Sequence, residues 1–176
     1  MKSEAIRFAC FLPALLALAG CNGGAASASK NCAVPYSDIC GTWQAKDSPW
    51  RIVIAPDGKL SSALIPMGEV EIKPNLTTRV EMKDGSISTF TAGDCPVEYD
   101  PETRELLVTI TVKHLQIVYL TNKIEGNSQY FLVGNISGDG QTWPADVIEI
   151  FDYGPRFPQD SNDIWPKQIV FEKVSK

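Results

Sequence analysis

Short apolar runs separated by tight-turn signals fill the chain from residue 41 to its end. Residues 50–54 and 60–65 flank Asp57-Gly58, a dipeptide typical of β-hairpin turns because Gly tolerates the positive φ that they require. Residues 106–112 alternate in polarity and are rich in β-branched side chains, and a further run follows at 115–120. No segment repeats apolar residues at helical spacing. The pattern predicts an all-β fold, a single antiparallel β-barrel of about 8–10 strands in meander order.

The first 20 residues have a different composition. Lys2 and Arg7 precede Phe8–Gly20, an apolar run of 13 residues. That run is too short to span a bilayer as a helix, which takes about 20 residues. A basic segment followed by a short apolar one is the layout of a secretory signal peptide, so the sequence predicts export.

The apolar run ends in Leu18-Ala19-Gly20-Cys21, which resembles the lipobox of bacterial lipoproteins. The resemblance implies cleavage before Cys21 and a diacylglyceryl group on its thiol, with acyl chains such as palmitate. Two acyl chains give stable membrane anchoring, because each buried CH₂ contributes about 0.8 kcal/mol. Asp after the Cys is the usual inner-membrane retention signal, and Asn22 stands there instead. The expected location is therefore the cell envelope, and the outer membrane where the host has two membranes.

Three segments follow from these features: a signal peptide at 1–20, a lipidated Cys with a flexible linker at 21–37, and a β-barrel domain at 38–176. Lys2, Arg7 and Glu4 lie in the signal peptide, so the remaining chain has a formal charge of −6. An acidic domain lacks the electrostatic footprint for nucleic acid. Contact with the membrane is therefore expected through the lipid on Cys21.

Cys32, Cys40 and Cys95 remain once Cys21 carries lipid. Disulfides persist in the oxidising compartments outside the cytoplasm, and three thiols allow one bridge with one left over. Cys95 bonded to Cys32 or Cys40 is the favoured pairing, because a bridge closing a longer loop stabilises more. The alternative, Cys32 with Cys40, closes a short loop.

Gly41-Thr42-Trp43 opens the first predicted strand and resembles the G-x-W motif of lipocalins and related calycin barrels. In that family the Trp plugs one end of the barrel, and a basic residue follows the last strand. Lys167 is the candidate for that basic residue. The resemblance implies a barrel that binds a small apolar molecule, and the expected lining residues are Trp43, Ile52, Ile54, Leu107, Ile110, Val118 and Phe131. The alternative function is an envelope interaction module, an inhibitor or accessory subunit, with a filled core.

Catalytic and metal motifs are sparse. His114 is the single His, and no G-x-S-x-G nucleophile motif accompanies it, so we expect no enzyme activity and no cofactor. Asn135, Ser137, Asp139 and Asp146 match the oxygen-ligand spacing of a calcium loop. Strands are predicted on both sides of this segment, so a hairpin turn is the preferred interpretation and no metal site is expected.

The segment from Tyr153 to Trp165 has no apolar period and holds Tyr153, Phe157 and Trp165 among Pro and Gly residues. Aromatic side chains on a loop offer rigid contact area for a partner. The favoured interpretation is that these rings cover an open end of the barrel, and the alternative is that they form a partner-binding loop.

Overall fold

The computed structural model describes residues 36–66, 70–81, 84–120, 122–155 and 167–174. These ranges contain eleven β-strands and no helix: β1 Gly41–Ala45, β2 Arg51–Ile54, β3 Leu60–Ile65, β4 Val70–Ile72, β5 Thr77–Glu81, β6 Ile87–Ala92, β7 Val97–Asp100, β8 Glu105–Tyr119, β9 Asn122–Asn135, β10 Thr142–Asp152 and β11 Lys167–Val174. The predicted signal peptide, Cys21 and Cys32 lie outside the described residues. The described ranges contain no helix long and apolar enough to cross a membrane.

Ten strands form one antiparallel sheet in the order β4-β3-β2-β1-β11-β10-β9-β8-β6-β5, and β7 pairs with β8 beside this path. Most neighbours in the sheet are also neighbours in sequence, as in a meander. The last strand returns to the first, with Thr42 opposite Val174, so the sheet curves into a nearly closed barrel. The predicted single antiparallel β-barrel is confirmed.

The two ends of the strand order meet at a junction that hydrogen bonds do not close. β4 spans only Val70–Ile72 and pairs with residues 63–65 of β3. Pro74 follows two residues after this strand, and proline lacks the N–H that a continuing ladder needs. β5 pairs with β6 on one side. No pairing joins β4 to β5 in the part of the chain that the structure describes, and we call this junction the seam.

Alternation along the strands fills the barrel interior with large apolar side chains. The fully buried residues of largest volume are Trp43, Trp143, Phe171, Ile39, Ile52, Ile54, Ile65, Ile72, Leu106, Ile110, Leu132 and Val108. Removing such surface from water stabilises the fold by about 25 cal/mol per Å². The core is therefore continuous around the wall and supplies the main driving force for closure.

β8 and β9 are the longest strands, and their pairing contains one irregularity. The register shifts between Val112 and Leu115, where His114 has a positive φ of 53°. The backbone N–H of His114 donates a hydrogen bond to Oδ1 of Asn127 at 3.0 Å. A β-bulge of this kind changes which residues face inward, so Val112 and Leu115 are both buried although they differ in parity.

The hairpin turn between β2 and β3 supports the start of the domain. Gly58 has φ of 82°, and a Cβ placed on it would lie 2.7 Å from Cδ1 of Tyr36. Only Gly therefore satisfies both the turn and the close approach of the ring. The turn at residues 36–39 thus packs on the β2–β3 hairpin before the chain enters β1.

Candidate functional site

One end of the barrel is closed by aromatic rings, and we call it the closed end. Trp43 and Trp143 meet edge to face with ring centroids 6.1 Å apart, and Trp143 stacks on Phe171 at 4.9 Å. Nε1 of Trp43 donates a hydrogen bond to the carbonyl oxygen of Ile39 at 2.7 Å. The indole N–H is therefore satisfied although the ring is fully buried.

Lys173 covers Trp43 from the last strand. Its Nζ lies 5.1 Å from the centroid of the Trp43 ring and donates a hydrogen bond to the carbonyl oxygen of Asp38 at 2.8 Å. Burial lowers the pKa of this ammonium group. The expectation that Lys167 is the basic residue after the last strand is wrong, because Lys167 is the first residue of β11 and pairs with Val147.

The Asp38 side chain connects the turn at residues 36–39 to Tyr99 on β7 and to Arg104. Its Oδ2 accepts a hydrogen bond from the hydroxyl of Tyr99 at 3.0 Å and lies 3.7 Å from Nη2 of Arg104. Burial and the hydrogen bond to Asp38 raise the pKa of Tyr99. Asp38, Tyr99, Arg104 and Lys173 therefore hold the first turn of the domain against the closed end.

A cavity of about 90 Å³ lies inside the barrel. It is lined by Ile65, Val70, Ile72, Ser86, Ser88, Phe90, Val112, Leu115 and Ile117. These residues come from β3 and β4 on one side, and from β6, the turn before it and β8 on the other. The cavity therefore lies behind the seam, and its wall is almost entirely aliphatic or aromatic.

Two hydroxyl groups interrupt this apolar wall. Oγ of Ser86 donates a hydrogen bond to Oδ1 of Asp84 at 2.7 Å, and the same oxygen accepts the backbone N–H of Ser86 at 2.9 Å. These hydrogen bonds lower the pKa of Asp84. The Ser88 hydroxyl is buried and is the second polar group that a bound molecule would meet.

A wider depression of about 450 Å³ lies beside the bulge of β8 and is open to solvent. Its lining mixes both faces of the wall, with Thr111 and Lys113 from β8, Ser128 and Gln129 from β9, and Ile150 from β10 among its residues. Ligand sites are typically concave and mostly apolar. The cavity behind the seam is less open and more apolar, so it fits that description better, although it is smaller.

Polar side chains also face inward at the end of the barrel opposite the closed end. Ser128 and Tyr130 are buried on β9, and Glu149 lies directly across from Tyr130 on β10. Burial raises the pKa of the Tyr130 hydroxyl strongly, and the neighbouring Glu149 carboxylate adds to the effect. Burial also raises the pKa of Tyr153. These groups give the interior beside β9 and β10 a more polar lining than that of the cavity.

The residues predicted to line a cavity fall into two groups. Trp43, Ile52, Ile54 and Ile110 are buried and face inward, but other residues line the cavity. The inward placement expected for Leu107, Val118 and Phe131 is wrong.

These three residues lie on the outer face because their neighbours take the inner positions. Leu106 and Val108 are fully buried on either side of Leu107, and Tyr130 and Leu132 flank Phe131 in the same way. Val118 is 36% exposed, since the bulge makes Leu115 and Ile117 the cavity-lining residues of that part of β8.

The favoured disulfide is also wrong, because Cys95 is a free, buried cysteine. Its Sγ donates to the carbonyl oxygen of Gly93 at 3.5 Å, and burial raises the pKa of the thiol. Cys40 is disulfide-bonded, with a partner outside the described residues. The Cys32–Cys40 pairing stays a prediction.

The remaining candidates are partly described. Tyr153 is half-buried and stacks on Phe151 with centroids 4.7 Å apart, whereas Phe157 and Trp165 lie outside the described residues. The segment with calcium-like spacing forms the turn between β9 and β10, where the N–H of Thr142 donates to Oγ of Ser137 at 3.0 Å. No group of three or more potential metal ligands occurs within the described ranges.

Sequence could not have indicated the cavity residues. Most of them are apolar, they lie far apart in the chain and they belong to no motif. The one local signal is the two-residue spacing of Ser86, Ser88 and Phe90, which puts all three on the same face. No protein family, curated protein or solved structure matches this chain.

Proposed function

We propose that this chain is a lipid-anchored protein of the cell envelope, without enzyme activity, whose barrel binds a small apolar ligand. The observation that carries the proposal is the cavity behind the seam, which is lined mostly by apolar side chains and has Ser86 and Ser88 as its polar groups. Apolar enclosure with a few polar groups is the usual construction of a small-molecule site.

Two further observations support the proposed export and the resemblance to calycin barrels. Cys40 is disulfide-bonded, which is expected of a protein exported to an oxidising compartment. Lys173 lies over Trp43 at the closed end, and this arrangement agrees with the calycin resemblance of Gly41-Thr42-Trp43. We propose the outer membrane as the location where the host has two membranes, with anchoring through Cys21.

The second candidate function is an interaction module, and apolar side chains exposed on the outer face of the barrel favour it. Ile150 on β10 is 46% exposed and Val170 on β11 is 38% exposed, while Phe131 and Leu107 are half-buried on the same outer face. Exposed apolar surface of this kind marks contact sites on many proteins. In this alternative the barrel is a scaffold, and the small cavity takes no ligand.

Native mass spectrometry of the protein purified from its own membrane tests the first candidate. We expect an added mass that is lost on denaturation, whereas a lipid on Cys21 stays attached. Ser88→Leu should remove this mass by filling the cavity, and Thr89→Leu, on the opposite face of β6, should keep it. A mass that Ser88→Leu leaves unchanged, or no added mass, favours the interaction module.

A further inference from the structure

The edge of β5 that faces the seam has unpaired backbone groups. β5 pairs with β6 along Thr77–Glu81, and no strand pairs with its other edge within the described part of the barrel. Unpaired N–H and C=O groups along a strand are a template for another strand. The ladder with β6 has no register shift, and the side chains of β5 that lie opposite the buried Phe90 and Ser88 are the uncharged Thr78 and Val80. β5 therefore lacks a bulge, a proline and an inward charge, three of the features by which edge strands avoid pairing.

Two charges of opposite sign lie on the outer face of β5. Arg79 and Glu81 are exposed, and the residues across the ladder from them, Thr89 and Ile87, are uncharged. Neither Arg79 nor Glu81 makes an ion pair with another residue that the structure describes. Both charges are therefore available to a strand that pairs with this edge.

The other two short strands with an unpaired edge differ from β5 in their charges. Glu71 is the one charged residue of β4, and its Oε2 already lies 3.6 Å from Nζ of Lys73. Pro74 follows and cannot donate a hydrogen bond to a longer ladder. On β7 the exposed charges, Glu98 and Asp100, are both acidic, so two copies of β7 placed side by side would repel each other. β5 is therefore the edge strand whose charges suit pairing with an identical strand.

An antiparallel pair of β5 strands has one register that brings these charges together. When Val80 of one copy lies opposite Val80 of a second copy, each Arg79 lies opposite the Glu81 of the other copy. Opposite charges directly across an antiparallel pair stabilise it, whereas like charges destabilise it. A register centred on Arg79 would instead place that residue opposite itself. Residues 73–76 join β5 to β4 at the Thr77 end, so the Val80 register uses the part of the edge farther from this connection.

We propose that two copies of this protein associate edge to edge through β5, in an antiparallel pair centred on Val80. The two barrels then share a continuous sheet at the seam, with two Arg79–Glu81 ion pairs on its outer face. The occupant of this edge is a second copy because its charge pattern is complementary to itself. The paired segment is short, so the contact is smaller than that of a permanent dimer and the association is reversible. It does not depend on a ligand in the cavity.

Disulfide cross-linking in cells that make the full-length chain tests the register. Residues directly opposite each other in an antiparallel pair are close enough for a disulfide, so Val80→Cys should give a covalent dimer when an oxidant is added. Thr78→Cys is the matched control on the same face, because in this register it lies about 13 Å along the strand from its counterpart. On a non-reducing gel, Val80→Cys should give at least about tenfold more dimer than Thr78→Cys or the parent protein. Equal yields from the two variants, or no dimer from Val80→Cys, overturn the proposal.

Exchanging the charges tests the recognition between the two copies. In the Val80→Cys protein, Arg79→Glu places two pairs of like charges across the dimer and should lower the cross-linked fraction by about fivefold, as should Glu81→Arg. The two substitutions together restore opposite charges, so the yield should return to within about twofold of that of Val80→Cys alone. A double exchange that gives as little dimer as the single ones, or single exchanges without effect, overturns pairing through a self-complementary edge.

Discussion

The ammonium nitrogen of Lys173 lies 5.1 Å from the centre of the Trp43 ring. The same nitrogen donates a hydrogen bond to the carbonyl oxygen of Asp38 at 2.8 Å, and it lies 3.4 Å from that of Ser37. Lys173 therefore joins the last strand, the first strand and the turn that precedes it. Closure of the barrel at this end depends on contacts between residues that are far apart in the sequence.

Replacing Lys173 with Met removes the charge and keeps most of the aliphatic packing. We expect the free energy of unfolding to fall by about 2 kcal/mol, the combined loss of a partly buried cation–π contact and a charged hydrogen bond. Urea unfolding measures the change. Lys167→Met is the matched control on the same strand, where the side chain is exposed, and it should change stability by less than about 0.5 kcal/mol. Equal effects of the two substitutions would contradict this account of the closed end.

Stability should fall in alkaline solution because of Tyr130. Its folded pKa is raised above the ordinary value of 10.0 by burial, so the folded state keeps the proton after the unfolded state has lost it. Below pH 10 both states hold the proton, so the contribution of Tyr130 to the free energy of unfolding is fully present. Above pH 10 stability falls by about 1.4 kcal/mol per pH unit for each such tyrosine.

Unfolding of the parent protein and of Tyr130→Phe between pH 9 and about pH 11.5 isolates this contribution, because the lysines titrate in both proteins. The free energy of unfolding of the Phe variant should fall less steeply with pH, and the difference in slope between the two proteins is the contribution of Tyr130. Parallel curves for the two proteins would show that the Tyr130 hydroxyl is not shielded from solvent in the fold.

Cys95 should resist alkylation in the native protein. The thiol is buried, and its raised pKa leaves less of the reactive thiolate at neutral pH. Iodoacetamide without a reducing agent should modify Cys95 only after denaturation, as read by peptide mass spectrometry. Cys40 should stay unmodified under both conditions because it is disulfide-bonded. A Cys95 that remains unmodified in denaturant would restore the pairing that the structure excludes.

The sequence predicted where the strands lie but not which side chains on them face the barrel interior. Alternation and the Asp57-Gly58 turn predicted the all-β barrel because each depends on residues close together in the chain. Residues 106–112 and 115–120 were predicted as separate runs, and the structure joins them in β8. Leu106 and Leu107 are both apolar, so the pattern there does not say which of them faces inward.

The candidate site was less predictable than the fold. Which residues face the cavity depends on the bulge between Val112 and Leu115. His adopts positive φ more readily than most residues, but a His inside an apolar run does not by itself predict a bulge. The cavity itself forms where β4 stops short and the curved sheet brings β6 and β8 behind it. These are consequences of the whole strand order, which motifs such as Gly41-Thr42-Trp43 do not encode.

A matched pair of substitutions checks the assignment of faces on β8. Leu106 is fully buried, so Leu106→Ala should cost about 3 kcal/mol through lost burial and a remaining cavity. Leu107 lies on the outer face, and Leu107→Ala should cost about 1 kcal/mol, because less apolar surface is returned to water. Thermal and urea unfolding of the two variants give the comparison. A larger cost at Leu107 would mean that the register of β8 against β9 is shifted by one residue.

The lipid anchor is tested most directly by a second matched pair, Cys21→Ser and Cys10→Ser. Both cysteines lie near the amino terminus, but only Cys21 ends the Leu-Ala-Gly-Cys motif. Cys21→Ser removes the thiol that would receive the diacylglyceryl group, so its intact mass should lack the lipid and should retain the first 20 residues. Cys10→Ser should be lipidated and should mature like the parent, because an apolar run tolerates the exchange. A Cys21→Ser protein with the same lipid mass and the same mature amino terminus as the parent would reject anchoring through this residue, and with it the proposed placement of the barrel at a membrane surface, while the cavity and its ligand would stay open to the tests above.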